Sequence, residues 1–108
     1  MGSIEQRRHP RLAANLVIRV SAIRAERADH ESGRMLDVSE GGLCFVGARY
    51  LPPGTSVKIE FADCSLVGEV RHCRMRDYSS RVEFVTGVQV HEIEAGQESW
   101  RDLTQAAS

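Results

Sequence analysis

Residues 35–46 read Met-Leu-Asp-Val-Ser-Glu-Gly-Gly-Leu-Cys-Phe-Val, and this stretch decides the expected fold. Apolar and polar residues alternate up to Val38 and alternate again from Leu43. Between them, four small or polar residues interrupt the pattern. Alternation on both sides of such an interruption predicts two strands joined by a tight turn.

The turn itself carries polar groups in a defined arrangement. Asp37 and Ser39 are two residues apart, so in extended backbone their side chains are expected on one face of the sheet. Gly41 and Gly42 permit positive φ and the close approach of another molecule to bare backbone. The corner is therefore predicted to present a carboxylate, a hydroxyl and accessible amides.

Outward from this corner, the alternation continues through most of the chain. Val70 and His72 are expected on one face of the fifth strand, with Cys73 opposite, and a bulge is expected near Thr86-Gly87. Residues 26–33 read as a polar connection. Six strands are predicted, over residues 15–25, 34–38, 43–46, 57–61, 66–73 and 82–90. Hairpin-connected strands without intervening helices predict an all-β fold, a six-stranded antiparallel β-barrel.

The last residues change periodicity and predict a helix over residues 96–107. Trp100, Leu103, Thr104 and Ala107 follow i, i+3, i+4 and i+7 spacing, which gives the helix one apolar stripe. We expect Trp100 to anchor this C-terminal helix on the barrel. The alternative is a homodimer contact through the same stripe. The predicted domain organisation is a flexible arm over residues 1–14, a barrel over 15–93 and a C-terminal helix over 94–108.

Before the first strand, residues 7–11 read Arg-Arg-His-Pro-Arg. Pro10 fixes its own φ and disfavours helix at His9, which predicts an extended or turned segment. In extended backbone Arg7 and Arg11 point the same way. Two guanidinium groups on one side suit a ligand with paired acceptors, such as phosphate oxygens or the O6/N7 edge of guanine.

Taken in this order, the two stretches resemble the PilZ family of cyclic di-GMP receptors. The family signature is R-x-x-x-R followed, across a strand or two, by [D/N]-x-S-x-x-G. Arg7 and Arg11 match the first half, while Asp37, Ser39 and Gly42 match the second. Further similarity lies in residues 51–55, 67–70 and 87–90. The resemblance spans roughly residues 5 to 93, and both motifs in order make a more specific signal than either alone.

The resemblance implies a receptor whose arm closes onto the barrel face around cyclic di-GMP and so signals to a protein partner. The arm arginines would grip guanine edges and phosphates, and Asp37 would accept hydrogen bonds from guanine N1 and N2. The implied ligand-binding residues are Arg7, Arg8, Arg11, Asp37, Ser39, Gly41 and Gly42. Arg71, His72 and Arg74 on the fifth strand are further candidates.

Composition and net charge bear on the two alternative functions. The chain has 108 residues and a net charge of −1, and its predicted strand faces carry few aromatic residues. These features argue against the oligonucleotide-binding barrel that is one alternative. The other alternative is a PilZ-like protein–protein adaptor that binds no nucleotide.

The chain also lacks the patterns of catalytic and metal-binding proteins. There is no supported Ser/His/Asp or Cys/His constellation and no G-x-x-x-x-G-K loop, so we expect no enzyme activity. Three cysteines without Cys-x-x-Cys spacing predict neither metal nor cofactor, and Cys44 and Cys73 are expected in the core. No apolar run reaches membrane-spanning length, and the expected location is the cytoplasm.

Overall fold

The computed structural model of the chain describes residues 16–23 and 28–107. Within these residues, six strands are followed by one helix. The strands are β1 (Val17–Ile23), β2 (Ala28–Ser39), β3 (Gly42–Gly47), β4 (Ser56–Phe61), β5 (Cys64–Tyr78) and β6 (Arg81–Ala95), and the helix is α1 (Gln97–Ala107).

The strands form a closed barrel in the order β1-β2-β3-β6-β5-β4, and every neighbouring pair is antiparallel. Closure comes from β1, which pairs with β2 on one side and with β4 on the other. The predicted six-stranded antiparallel barrel with a C-terminal helix is therefore confirmed.

The barrel interior is filled by side chains from alternate positions of each strand. Among its largest fully buried members are Phe45, Ile18, Met35, Ile59 and Leu66. Removing apolar surface from water contributes about 25 cal/mol per Å², which makes this interior the main source of stability.

Helix α1 packs its apolar stripe against this core. Trp100 is 4% exposed, and its ring centroid lies 6.4 Å from that of Phe61. Gly96 precedes the helix with φ of +78°, and a Cβ there would lie 2.5 Å from the backbone oxygen of Asp63. Both facts require glycine at this junction. Trp100 is thus buried within the chain, while the homodimer stays a prediction.

The predicted polar connection over residues 26–33 is wrong in part, because β2 already begins at Ala28. The inward positions of this half of β2 are Glu31 and Gly33, so the sequence shows no apolar alternation there. A Cβ at Gly33 would lie 3.0 Å from the ring of Phe45, which occupies the space of the missing side chain.

The β5–β6 hairpin is longer than predicted. Its turn lies at Ser79 and Ser80, whose φ values of 48° and 66° are those of a tight two-residue hairpin turn. The last residues of β5, including Arg74 and Arg76, are mostly polar, and hydrophobic periodicity therefore did not reveal them as strand.

Candidate ligand-binding site

A row of four paired residues crosses the outer face of the barrel from β2 to β5. Asp37 pairs with Cys44, Cys44 with Gly87, and Gly87 with His72. The row therefore has a carboxylate at one end, an imidazole at the other, and only small residues between them. Neighbouring strands lie about 4.8 Å apart, so the two ends are separated by about 14 Å.

A β-bulge precedes each end of this first row. The extra residue is Leu36 in β2 and Arg71 in β5, so the pairing shifts just before Asp37 and just before His72. A bulge re-aims the side chains next to it. Arg71 and His72 are accordingly both exposed, although they are consecutive in a strand.

The bulge in β5 corrects two predictions. His72 lies on the outer face instead of sharing the inner face of Val70, and Cys73 packs against the core. A bulge was expected near Thr86-Gly87 in β6, but the extra residue opposite Gly87 belongs to β5.

A second row runs beside the first. Ser39 pairs with Gly42, Gly42 with Gln89, and Gln89 with Glu69. Arg71, the extra residue of the β5 bulge, reaches into this row, where its Nη1 donates a hydrogen bond of 3.0 Å to Oε1 of Gln89. As expected from alternation, Ser39 and Asp37 are exposed on one side of the strand.

Each row has a glycine near its middle, and together the two rows form a trough of about 280 Å³. A Cβ at Gly42 would lie 2.4 Å from the backbone oxygen of Val88. A Cβ at Gly87 would lie 2.2 Å from Nε2 of His72, because the imidazole covers this glycine. The residues lining the trough are Asp37, Val38, Ser39, Gly41, Gly42, Leu43, Cys44, Arg71, His72, Gly87, Val88 and Gln89.

The polar corner is held by short hydrogen bonds. Oδ1 of Asp37 accepts the backbone N–H of Val38 at 2.9 Å, and the carbonyl of Gly41 accepts the N–H of Val90 at 2.9 Å. Gly41 and Gly42 do not adopt the positive φ that glycine permits; in the described residues glycines adopt it only at positions 54 and 96. Gly42 is instead required by its close approach to β6.

Cys44 is half-buried on the outer face, in the trough, and the prediction that it is a core residue is wrong. The cause is the regular alternation of β3, since its neighbours Leu43 and Phe45 both face the core. Burial raises the pKa of the Cys44 thiol; the charge of Asp37 raises it further and that of Arg74 opposes the change.

The structure brings together most of the candidate residues that it describes. Asp37, Ser39, Gly41, Gly42, Arg71 and His72 all line the trough. Arg74 lies outside the lining, where it pairs with Val85. Arg7, Arg8 and Arg11 lie outside the described residues.

The described chain begins beside the trough. The carbonyl of Leu16 accepts the backbone N–H of Met35 at 2.8 Å, and Met35 is two residues from Asp37. Leu16, the first described residue, is therefore held next to the first row.

Sequence reasoning missed Gln89, Gly87 and Cys44 as members of this site. The resemblance included residues 87–90, but only as a strand. The signal that could have found them is the register between β3 and β6, which places Gly87 and Gln89 opposite the motif corner.

Other kinds of site find no support in the part of the chain that the structure describes. There, no group of three or more His, Cys, Asp or Glu side chains is placed to hold a metal ion. No helix in that part is long and apolar enough to cross a membrane.

A family model described as the PilZ domain matches residues 5–105. The chain belongs to the PilZ domain family. PilZ domains bind cyclic di-GMP, and the family is not one of enzymes. The matched range includes both the arginine segment and the corner at Asp37. No curated protein and no solved structure matches the chain significantly.

Proposed function

We propose that this PilZ domain is a cytoplasmic receptor that captures cyclic di-GMP in the trough and signals to a protein partner by the resulting change of shape. The observation that carries the proposal is the convergence of Asp37 and Ser39 with Arg71 and His72 around a floor kept open by glycine. Acceptors at one end and cationic or stacking groups at the other match a ligand with guanine bases and phosphates.

Tether length supports a role for the N-terminal arginines. Four residues lie between Arg11 and Leu16, so five Cα–Cα steps span at most about 18 Å when fully extended. Asp37 lies about 7 Å along β2 from the residue that Leu16 contacts. Arg11 is thus attached within reach of the trough, and closure of the arm supplies the change of shape that a receptor without catalysis requires.

Asp37 is proposed to select guanine. Its Oδ1 is engaged by the N–H of Val38, and the carboxylate still offers acceptor capacity for a second donor pair. Guanine presents N1–H and N2–H side by side, whereas adenine offers no such pair of donors on that edge. Each good charge-assisted pair contributes about 1–3 kcal/mol, which corresponds to about one to two decades of affinity.

Calorimetric titration with cyclic di-GMP, cyclic di-AMP, GTP and single-stranded DNA at two salt concentrations tests the proposal. We expect saturable binding of cyclic di-GMP alone, weakened tenfold or more by Arg11→Ala and by Asp37→Asn. Arg19→Ala and Asp102→Asn, which make the same changes at exposed residues outside the trough, are matched controls and should bind normally.

Two outcomes would contradict the proposal, and each would support one of the alternative functions. Salt-sensitive binding to DNA would indicate the oligonucleotide-binding barrel. Absence of binding to every nucleotide by the folded protein would indicate the adaptor.

A further inference from the structure

Gln89 and Arg71 form a pair that the PilZ signature does not include. Both side chains line the trough, and Nη1 of Arg71 donates to Oε1 of Gln89 at 3.0 Å. Arg71 is in place because the β5 bulge turns it to the outer face together with His72. The pair stands on β5 and β6, on the wall that faces Asp37 across β3.

The partner of Gln89 determines which way its amide is oriented. A guanidinium group has only donors, so the atom of Gln89 that it contacts must be the oxygen. The amide nitrogen, with two donors, is consequently directed away from Arg71. The wall thus offers an oriented amide donor next to a guanidinium group, whereas Asp37 on the opposite side offers acceptors.

We propose that Gln89 and Arg71 together form a subsite for the non-bridging oxygens of a ligand phosphate. The inference deepens the proposed function and depends on it, since cyclic di-GMP is the ligand that would present guanine donors to Asp37 and phosphate oxygens to this wall. β2 and β6 are two strand spacings apart, about 10 Å, which leaves room for a nucleotide between the two sides. In this subsite Gln89 contacts the ligand directly, and it also holds the guanidinium group of Arg71 in place.

The substitution Gln89→Glu separates contact from positioning. A carboxylate keeps the size of the side chain and the acceptor for Arg71, but it replaces the amide donor by an anionic oxygen. If neither side chain contacted phosphate, the variant would bind about as well as the wild type, because the new charge would be paired with Arg71. If the amide contacts phosphate, the added charge repels the ligand.

We expect Gln89→Glu to weaken cyclic di-GMP binding at least tenfold in calorimetric titration, with an unchanged thermal unfolding midpoint. Gln105→Glu is the matched control, because it makes the same change at an exposed helix position outside the trough. It should bind like the wild type. In ³¹P spectra recorded at saturating ligand, Gln89→Glu should shift a phosphorus resonance and Gln105→Glu should not.

The results that would overturn the subsite differ from the result that would refute the proposed function. Wild-type affinity in Gln89→Glu, or weaker binding with an unchanged ³¹P spectrum, overturns the subsite and leaves the proposed function intact. A wild-type protein that does not bind cyclic di-GMP refutes the proposed function, and the subsite with it.

Discussion

Each row of the trough contains one glycine, Gly42 on β3 and Gly87 on β6, and the two are required for different reasons. A Cβ at Gly42 would collide with backbone, the carbonyl oxygen of Val88. A Cβ at Gly87 would meet the imidazole of His72, an exposed side chain that can rotate away. Gly42 is therefore required for the pairing of β3 with β6, whereas Gly87 keeps the trough open.

This difference predicts that substitution by alanine mainly lowers stability at Gly42 and mainly weakens ligand binding at Gly87. Gly42→Ala should lower the free energy of unfolding by about 1–3 kcal/mol, because strands β3 and β6 must separate. Gly87→Ala should cost less than about 1 kcal/mol in stability, and it should weaken cyclic di-GMP binding about tenfold because a methyl group and a displaced ring intrude on the trough. Urea unfolding and calorimetric titration of both variants measure these effects. Equal losses of stability would contradict the distinction.

For single residues, the predictions of which face a side chain occupies were correct where the backbone alternates regularly. Asp37 and Ser39 were predicted on one face, and both are exposed there. Sequence reasoning failed at the face of His72, because a single inserted residue reverses the faces that follow and leaves no mark in the hydrophobic pattern. Cys73 was expected in the core and packs against it.

Among the elements, β2 is tied to the end of β3 by a partly buried carboxylate. Oε1 of Glu31 accepts the backbone N–H of Ala48 at 3.1 Å and lies against Gly47. Burial raises the pKa of Glu31 above its ordinary value of 4.5, although the hydrogen bond and the charge of Arg49 partly oppose this.

The raised pKa of Glu31 predicts how its contribution to the free energy of unfolding changes with pH. Between pH 4.5 and the folded-state pKa, the folded protein binds more protons at this site than the unfolded chain. The favourable contribution of Glu31 is therefore complete below pH 4.5 and is lost as pH rises through the folded-state pKa. The variant Glu31→Gln keeps an acceptor for Ala48 and cannot ionise. Its unfolding midpoint relative to wild type should therefore increase as pH rises from 4.5.

Thermal unfolding of both proteins across this pH range measures the difference. Parallel curves would mean that Glu31 titrates equally in the folded and unfolded states. An increasing advantage of the wild type would mean that the fold favours the charged form.

The elements themselves were predicted where apolar residues alternate and missed where other residues face inward. The strands around Phe45 and Ile59 were found from their pattern, and so was the helix that carries Trp100. The first half of β2 was missed because its inward positions hold Glu31 and Gly33, one used for a hydrogen bond and the other filled by a neighbouring ring.

Over the whole molecule, the candidate site depends on strands that are distant in sequence. Closure of the barrel places β6 between β3 and β5, which brings Gly87 and Gln89 beside the corner at Asp37. Hairpin rules pair consecutive strands, but they do not give the register between β3 and β6. The resemblance identified the corner from its motif and named Arg71 and His72 as further candidates, whereas Gly87 and Gln89 required the structure.

The central claim is that cyclic di-GMP binds in this trough, and it is tested most directly by mapping backbone amide chemical shifts of the whole chain during titration with the ligand. We predict that the largest shifts occur at residues 37–42, 71–72 and 87–89 and at the arginine segment 7–11, with little change in β4. Shifts confined to other faces of the barrel, or no shifts at saturating ligand, would contradict the account.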